Sequence, residues 1–573
     1  MSTVIESDVP IQGRSKKHVS QLKKPMQTTS NAFQRRHDLD ALRAIAMLLG
    51  IVLHAALSFS PIPWTVNDSR QSDFYSVMFA AIHGFRMPLF FMVSGFFTAM
   101  LWRRRDLGGL IKQRVKRILL PLLLGCVTIV PAMWAVSYLA RMPSPSGSPN
   151  ASVWEAVVAG DVQRVHDAIH TSEIATDAVS QDGATLLTVS VFLGHTEMVK
   201  MLLDEGADIK QRNGDQGTAL HSAAFIGRAE EAALLLQAGA DPDAKDANGQ
   251  TPKDLLKIDF GTSNYIASSF GVPLEEETLK AGRAGIAKQL GVDEYLGSGN
   301  SDASGLSADA IKALLFQMPV FMHLWFLYFL CWLVAAFVLY AALANSIGGA
   351  IKGLKIPKWI VCTPLSLLWL VPLTMLPQSF MSPGIFGPDS SIGLLPIPSV
   401  LAYYAVFFFF GAIYWDMDDS GNRLGRHWEI CLVVAAVVIF PLGLDLVTGA
   451  FGIVTAFADP TTHSTVSGGA QALFTWLMIF GSIGACHRLL SNESKWMRYI
   501  SDSSYWLYLA HLPLVLLAQW LVKDYAVPSF FKFVGITVLV SVFLLVTYEY
   551  GVRYTFIGRM LNGPRSRKEP STA

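Results

Sequence analysis

The sequence predicts an all-α protein: a polytopic membrane helix bundle of about ten spans, interrupted by an inserted soluble repeat module. Of its 573 residues, 52% are hydrophobic and only 16% are charged, and the mean hydropathy is +0.39. This composition is too apolar for an ordinary soluble protein. A helix needs about 20 apolar residues to cross the hydrocarbon core. Runs of that length recur at residues 41–60, 74–101, 117–138, 320–344, 359–378, 398–415, 429–449, 469–487, 503–522 and 530–550.

Charge divides the chain into two bodies. Between Arg141 and Met318 there are 13 Lys+Arg and 25 Asp+Glu, a net charge of −12. The remainder of the chain carries 32 Lys+Arg and 19 Asp+Glu, a net charge of +13. An acidic soluble body is therefore inserted into a basic membrane body. All five cysteines lie in the membrane part without metal-ligand spacing, so we expect no metal site. Residues 1–34 are polar and lack an apolar signal core, which predicts a disordered cytoplasmic tail.

The basic residues predict the orientation of the spans. The loops at 379–397 and 450–468 contain neither Lys nor Arg, whereas every loop on the alternate side is basic. Because cytoplasmic loops carry the excess of Lys and Arg, both termini are predicted to be cytoplasmic, including a C-terminal tail at 561–573. The inserted body follows the third span and is therefore predicted to be extracytoplasmic. We expect an integral inner or plasma membrane protein.

The inserted body contains a repeat of 33 residues, the ankyrin period. Gly194 and Gly227 occupy equivalent positions in the segments GATLLTVSVFLGHTEMVKMLLDEGADI and GTALHSAAFIGRAEEAALLLQAGADP. A degenerate unit at 154–169 precedes them, and a truncated unit ends near Leu256. The pattern predicts an ankyrin-repeat α-solenoid over 151–256, followed by a helical and linker segment over 257–317. Two membrane parts, 35–140 with three spans and 318–560 with seven, flank it.

Ionisable side chains inside the apolar spans mark the candidate functional site. Such groups are costly in a bilayer and usually indicate a pathway or a reaction centre. Arg43 and His54 lie in the first span, about 16 Å apart along a helix, and the four others occur in later spans. We expect the histidines to converge on one cavity; a hydrogen-bonded structural role is the alternative for each. The ionisable residues in the later spans are His83, Arg86, His323 and His511.

Six separated motifs then resemble one known family. RHDLDALRAIAMLLGIVLH, IHGFRMPLFFMVSGFF, KQRVKRILLPLL, HLWFL, FFFFGAIYW and DSSYWLYLAHLPL occur in the order found in the acyltransferase-3 family of integral membrane acyltransferases. They are most similar to its glucan biosynthesis protein C branch, which succinylates periplasmic glucans. The resemblance covers residues 35–140 and 318–560. That branch lacks the inserted repeats, so the resemblance does not identify the acceptor molecule.

The resemblance implies acyl transfer from cytoplasmic acyl-CoA to a glycan hydroxyl on the outer side. It implies that His54 is the essential catalytic residue and that Arg43 is its partner on the donor side. Arg114 and Arg117 fall where the family has basic residues near the entrance for CoA. The remaining spanning ionisable residues lie inside matching motifs: His83, Arg86 and His511 are assigned to catalysis and His323 to the substrate side.

We therefore expect a membrane O-acyltransferase that moves a succinyl or acetyl group onto a periplasmic or surface glycan. Histidine supplies a base of near-neutral pKa, either to deprotonate the acceptor or to carry the acyl group itself. Expected partners are acyl-CoA as donor substrate, the glycan, membrane lipid and a protein bound by the ankyrin repeats. We expect no permanently bound cofactor and no nucleic acid partner. The alternatives are a transporter or exporter, and a membrane sensor with an ankyrin output.

Overall fold

The computed structural model describes most of the membrane part and the inserted body. The described residues are 36–140, 149–292, 315–316, 320–346, 357–449, 452 and 459–563, apart from positions 63, 69, 181–182, 215, 248, 259, 270–271, 273 and 383. The predicted tail at 1–34, the linker at 297–307 and most of the predicted tail at 561–573 lie outside them.

The described elements are α-helices with short π or 3₁₀ turns, and one isolated bridge between Val179 and Thr185 is the only β pairing among them. In chain order the helices are α1 (His37–Leu57), α2 (Asp73–Arg104), α3 (Leu107–Ala140), α4 (Pro149–Ala159), α5 (Val162–His170), α6 (Leu186–Leu193), α7 (Thr196–Asp204), α8 (Ala219–Ile226), α9 (Ala229–Gln237), α10 (Pro252–Leu255), α11 (Phe260–Ser269), α12 (Glu276–Gln289), α13 (Trp325–Ser346), α14 (Lys358–Val361), α15 (Leu367–Gln378), α16 (Pro398–Asp416), α17 (Trp428–Thr448), α18 (Pro460–Leu489), α19 (Lys495–Val522), α20 (Ser529–Val552) and α21 (Phe556–Asn562).

Nine of the described helices are long and apolar enough to cross a membrane: α1, α2, α3, α13, α16, α17, α18, α19 and α20. The predicted run at 359–378 is not among these nine, because the chain there forms α14, a 3₁₀ turn and α15 instead of one long helix. Pro364 disfavours a helical conformation at Thr363 before it, which explains the break. The 12 residues of α15 are about 18 Å long, shorter than the hydrocarbon core.

Helices α2 and α16 form the closest contact in the bundle. A Cβ atom on Gly95 would lie 1.8 Å from the Phe408 carbonyl oxygen, and one on Gly411 would lie 1.9 Å from the Met92 carbonyl oxygen. Each glycine therefore admits the backbone of the other helix, as small residues do between membrane helices. Most of the phenylalanines at this contact are buried in the core, and Phe407 stacks on Trp476 at 4.5 Å.

Polar contacts tie together the helix ends at one face of the bundle. Arg103 pairs with Asp416 at 2.7 Å, and Asp38 contacts both Arg36 and His487. At the opposite face, the loop between α1 and α2 is fastened to α20. There the Lys532 ammonium donates to the Asp68 carboxylate at 2.5 Å, and both side chains are almost completely buried. The bundle thus has a basic face and an opposite face that carries the α1–α2 loop.

The inserted body has the helix pairs that the 33-residue period predicts. Gly194 and Gly227 end α6 and α8 at φ +78° and +74°, a conformation in which glycine avoids a Cβ penalty. The predicted helical segment beyond the repeats packs on them through α12, where Ile286 and Ala287 join the repeat core. Arg283 is 2% exposed and donates to the carbonyl groups of the last repeat. This segment therefore caps the solenoid.

Both connections to the inserted body leave the bundle at the face opposite the basic one. Ala140, the last residue of α3, and Met322, just before α13, pack in one apolar cluster with Trp64 of the α1–α2 loop. The same cluster contains Leu512 and Leu516 of α19. The chain therefore enters and leaves the ankyrin module beside the loop that carries Trp64.

Candidate functional site

One stripe of α1 carries the first two candidate residues. Arg43, Gly50 and His54 are separated by 7 and 4 residues, so they lie on the same side of a helix with 3.6 residues per turn. This side faces α19. Arg43 donates from Nη2 to the Ser501 hydroxyl at 2.8 Å and to the Ser501 carbonyl at 3.1 Å. We call this side of α1, from Arg43 to His54, the polar line.

Three of the predicted histidines form one cluster further along this line. The ring centroids of His54 and His511 are 5.2 Å apart, and those of His511 and His323 are 5.5 Å apart. His323 Nε2 lies 3.1 Å from the Leu509 carbonyl oxygen, and because a carbonyl can only accept, this nitrogen is the donor. His511 directs Nδ1 at the Tyr508 carbonyl at 2.8 Å, which makes Nδ1 the donor there. Residues from α1, from α19 and from the turn before α13 thus come together.

Each imidazole of this cluster has a buried nitrogen without a hydrogen-bond partner in the described structure. These atoms are Nδ1 of His54, Nε2 of His511 and Nδ1 of His323, and all are buried. Because Nδ1 of His511 and Nε2 of His323 carry the protons, their unpartnered nitrogens are acceptors. Unpaired buried acceptors are costly, and the cluster is therefore prepared to receive a donor group such as a hydroxyl.

Arg86 lies against the same stripe of α1. A Cβ atom on Gly50 would be 2.1 Å from Arg86 Nη1, so the guanidinium occupies the space that glycine leaves open one turn from His54. Arg86 Nε is buried and has no hydrogen-bond partner in the described structure. The guanidinium is close enough to His54 and His511 to interact with them electrostatically. Glycine at position 50 is therefore what permits a cation beside the histidines.

A second set of contacts fixes His54 from the opposite face. The ring of His54 stacks on Trp64 at 5.8 Å, and the Gln519 amide donates to the His54 carbonyl at 2.8 Å. Trp64 in turn donates from Nε1 to the Gln519 side-chain oxygen at 3.0 Å. Sequence analysis did not identify Trp64 or Gln519. The polar Gln519 in the apolar run LLAQWLV was a usable signal, whereas Trp64 in a loop offered none.

Within the described residues, His83 makes no ring contact with the histidine cluster, although it is close enough to His54 to interact with it electrostatically. Its Nε2 faces the Pro388 carbonyl oxygen at 2.9 Å, and its ring stacks on Phe79 at 4.9 Å. A Cβ atom on Gly387 would be 2.7 Å from His83 Cδ2, so the 379–397 loop lies directly against this ring. In the described structure, His83 therefore holds a loop and shares no ring contact with the cluster.

Arg114 directly precedes a π turn at Val115–Leu119 on the basic face, and Arg117 lies within that turn. Arg117 donates to the Asn562 carbonyl at 3.1 Å and is close enough to Arg43 for their charges to repel. Arg114 lines an apolar cavity of about 270 Å³ between α3 and α13. The π turn directs the two side chains to different surroundings, and π turns are frequent at functional sites. Arg117 and Arg43 thus form the basic end of the polar line.

These features define a class: an integral membrane helix bundle whose interior joins an arginine-rich end to a histidine cluster, with an ankyrin module inserted in it. Known proteins identify the class more closely. The acyltransferase domain family matches residues 36–154 and 286–546, and the ankyrin-repeat family, as three copies, matches residues 153–246. The first match covers more than half of the chain, so the protein belongs to this acyltransferase family. The family match resumes only at residue 286, after the repeats.

Individual relatives match a shorter part. Glucans biosynthesis protein C of Escherichia coli strain SMS-3-5 / SECEC is 43% identical over 90 residues, which are 16% of this chain and 23% of the relative. The protein of the same name from Escherichia coli strain K12 is 42% identical over 90 residues. The chain therefore spans about a quarter of the length of these curated relatives. They support the family assignment and the resemblance to this branch.

Proposed function

We propose that this protein is a membrane O-acyltransferase that moves a succinyl or acetyl group from cytoplasmic acyl-CoA to a hydroxyl of a periplasmic or surface glycan. One observation carries the proposal: a polar line inside the bundle joins Arg43 at the basic face to His54 and the unpartnered imidazole nitrogens near the other face. A reaction whose donor and acceptor come from opposite sides needs such a line. The family assignment is consistent with it.

The donor belongs at the basic end. Acyl-CoA carries phosphates, and arginines bind phosphate through charge-assisted hydrogen bonds. Arg43, Arg114 and Arg117 occupy this end, and the excess of Lys and Arg there supports a cytoplasmic position for it. From Arg43 to His54 the line is about 16 Å long. The extended pantetheine arm of the donor would bring its thioester along this line to the histidines.

The histidine cluster supports the chemistry of acyl transfer. In one mechanism, His54 Nδ1 accepts the proton of the acceptor hydroxyl while the hydroxyl oxygen attacks the thioester carbonyl; the carbon–sulfur bond then breaks, and the departing CoA thiolate takes the proton from His54. In the other, His54 takes the acyl group as the carbon–sulfur bond breaks, and CoA leaves as its thiol with the imidazole proton; the acceptor oxygen then displaces the imidazole, which takes up the hydroxyl proton. Both routes develop negative charge on the carbonyl oxygen. The Arg86 guanidinium, held beside Gly50, is the group suited to stabilise that charge.

The acceptor belongs at the other face, where the ankyrin module is attached. Both of its connections pack beside Trp64, which stacks on His54. We propose that the module is extracytoplasmic and that it binds a partner protein or places the glycan over the histidine cluster. Ankyrin repeats bind rather than catalyse, so no chemical step is assigned to it.

His54→Ala tests the catalytic assignment. In cells with matched protein levels, we expect the variant to abolish acylation of surface and periplasmic glycans, measured by mass spectrometry of the released acyl groups. Membranes supplied with succinyl-CoA or acetyl-CoA should release free CoA thiol with the wild type and not with the variant. The acyl-CoA from which the wild type releases CoA thiol identifies the acyl group that is transferred.

His427→Ala is the matched control because His427 is exposed and lies outside the polar line. It should retain wild-type acylation. Arg43→Lys keeps the charge but loses the guanidinium fork, and it should reduce donor use without unfolding the protein. Acylation by His54→Ala equal to that of the wild type would disprove the assignment.

Cysteine labelling tests the orientation. Lys200 of the ankyrin module and Lys112 at the basic end are both exposed. In intact cells with a permeabilised outer barrier, a membrane-impermeant maleimide should label Lys200→Cys and should reach Lys112→Cys only after lysis. The reverse pattern would place the ankyrin module in the cytoplasm and contradict the proposed topology.

A further inference from the structure

Two histidines and a glutamate converge on the surface of the first ankyrin unit. His166 and His170 are one turn apart on α5, and Glu205 directly follows α7 of the next unit. The two Nε2 atoms are 3.0 Å apart, and Glu205 Oε1 is 3.2 Å from His170 Nε2 and 3.6 Å from His166 Nε2. Three donor atoms from two helices thus form a small triangle.

We propose that this triangle binds Zn²⁺, with a water in the fourth position. Zinc–nitrogen and zinc–oxygen bonds of about 2.0–2.2 Å in a tetrahedral arrangement place neighbouring ligand atoms about 3.3–3.5 Å apart. The observed separations of 3.0, 3.2 and 3.6 Å enclose that range. A shift of a few tenths of an ångström in exposed side chains is sufficient to receive the ion. His166, His170 and Glu205 together are the only such group among the described residues.

The chemistry of the donors selects the ion. Imidazole suits zinc and its neighbours in the transition series, whereas Ca²⁺ and Mg²⁺ prefer oxygen ligands throughout. Two histidines and one carboxylate with an open position also match a known zinc ligand set. The second nitrogen of His166, Nδ1, is 3.6 Å from the Asp167 carboxylate. At this distance the carboxylate makes no hydrogen bond to the ring, so the proposed site rests on the three ligand atoms themselves.

The ion would join two neighbouring repeats. His166 and His170 belong to the degenerate first unit, and Glu205 belongs to the second. In a solenoid each repeat is stabilised mainly by its neighbours, and an end repeat has only one. A metal bridge between α5 and Glu205 therefore adds a contact at an end interface of the module. This role is independent of the proposed acyl transfer, and the sequence alone did not indicate it because Glu205 lies 35 residues from His170.

Zinc binding is measured on the full-length protein, purified in detergent without a histidine tag and freed of metal with EDTA. Isothermal titration with Zn²⁺ should show one site per chain, and Co²⁺ should give the visible absorption of a tetrahedral site. The double variant His166→Ala/His170→Ala should lose the site. Glu205→Gln should weaken it at least ~100-fold, since even the loss of a ligand's supporting partner costs 10- to 100-fold.

Glu197→Gln is the matched control, because Glu197 lies on the same helix and pairs with Lys200 away from the triangle. It should bind Zn²⁺ as the wild type does. Zn²⁺ should also protect the first unit from limited proteolysis in the wild type and not in the double variant, whose helix content is checked by circular dichroism. Absence of stoichiometric binding in the wild type, or equal binding in the double variant, would overturn the proposal.

Discussion

Replacing Gly50 by alanine tests whether the position of Arg86 controls the reaction. The new Cβ atom would lie 2.1 Å from Arg86 Nη1, and ordinary contact begins at 3.4 Å, so the guanidinium must retreat by about 1.3 Å. A displacement of about 1 Å in a positioned group costs on the order of 100-fold in rate. Alanine is also favoured over glycine within a helix by about 0.5–1 kcal/mol. We therefore expect a loss of activity without a loss of stability.

The assay compares the release of CoA thiol by membranes with equal protein levels, supplied with acyl-CoA and a glycan fraction. Thermal unfolding in detergent should give a midpoint for Gly50→Ala equal to or above that of the wild type. Gly535→Ala is the matched control, since Gly535 also lies in a spanning helix and its Cβ would meet no atom within 4 Å. Wild-type activity of Gly50→Ala, or equal losses in both variants, would refute the reasoning.

Two further predictions concern stability. Lys532→Met leaves the Asp68 carboxylate buried without its partner, which should lower the free energy of unfolding by about 3–5 kcal/mol, measured by thermal unfolding in detergent. In the ankyrin module, hydrogen bonds from Thr251 hold the pKa of Asp254 below its ordinary value. In the acid range the folded state then binds fewer protons than the unfolded state. The stabilisation that results from the lowered pKa is therefore complete above about pH 3.9, and it is lost as the pH falls through the lower pKa of the folded state. Hydrogen exchange of residues 244–258 should show that loss.

Each of these predictions has its own reference variant. Asp68→Asn/Lys532→Met removes both charges and should recover part of the stability lost in the single variant; a double variant no better than Lys532→Met would contradict a purely electrostatic cause. Asp254→Asn removes the titrating group, so the acid-dependent loss of protection should disappear relative to the wild type. An unchanged pH dependence in Asp254→Asn would show that another group is responsible.

Local patterns in the sequence were sufficient for much of the fold. The spanning runs are read from length and apolarity, because the hydrocarbon core imposes the same requirement on every crossing. The 33-residue repeat is equally local, since each ankyrin unit forms its own turns at positions such as Gly194 and Gly227. The run at 359–378 was the exception. Its apolarity suggested a full span, whereas the position of Pro364 determined a broken one.

The candidate site was only partly accessible to the same reasoning. Arg43 and His54 were found because a charge in an apolar run is visible without a partner. The convergence of His54, His323 and His511 was expected from their depths, and the ring contacts agree with it. His83 has the same sequence signature, yet it packs against a loop. Depth along a span does not determine which side of the helix a residue occupies relative to its neighbours.

The sequence by itself determined that this is a membrane helix bundle with an ankyrin insertion, and it identified most of the ionisable residues inside the bundle. Only the tertiary structure decided which of them act together. Gly50 is unremarkable in the sequence, and its importance comes from Arg86 on another helix. Likewise, His166 and His170 become a metal site only when α7 brings Glu205 beside them. Composition and periodicity are properties of one segment, whereas a site depends on distances between segments that packing alone sets.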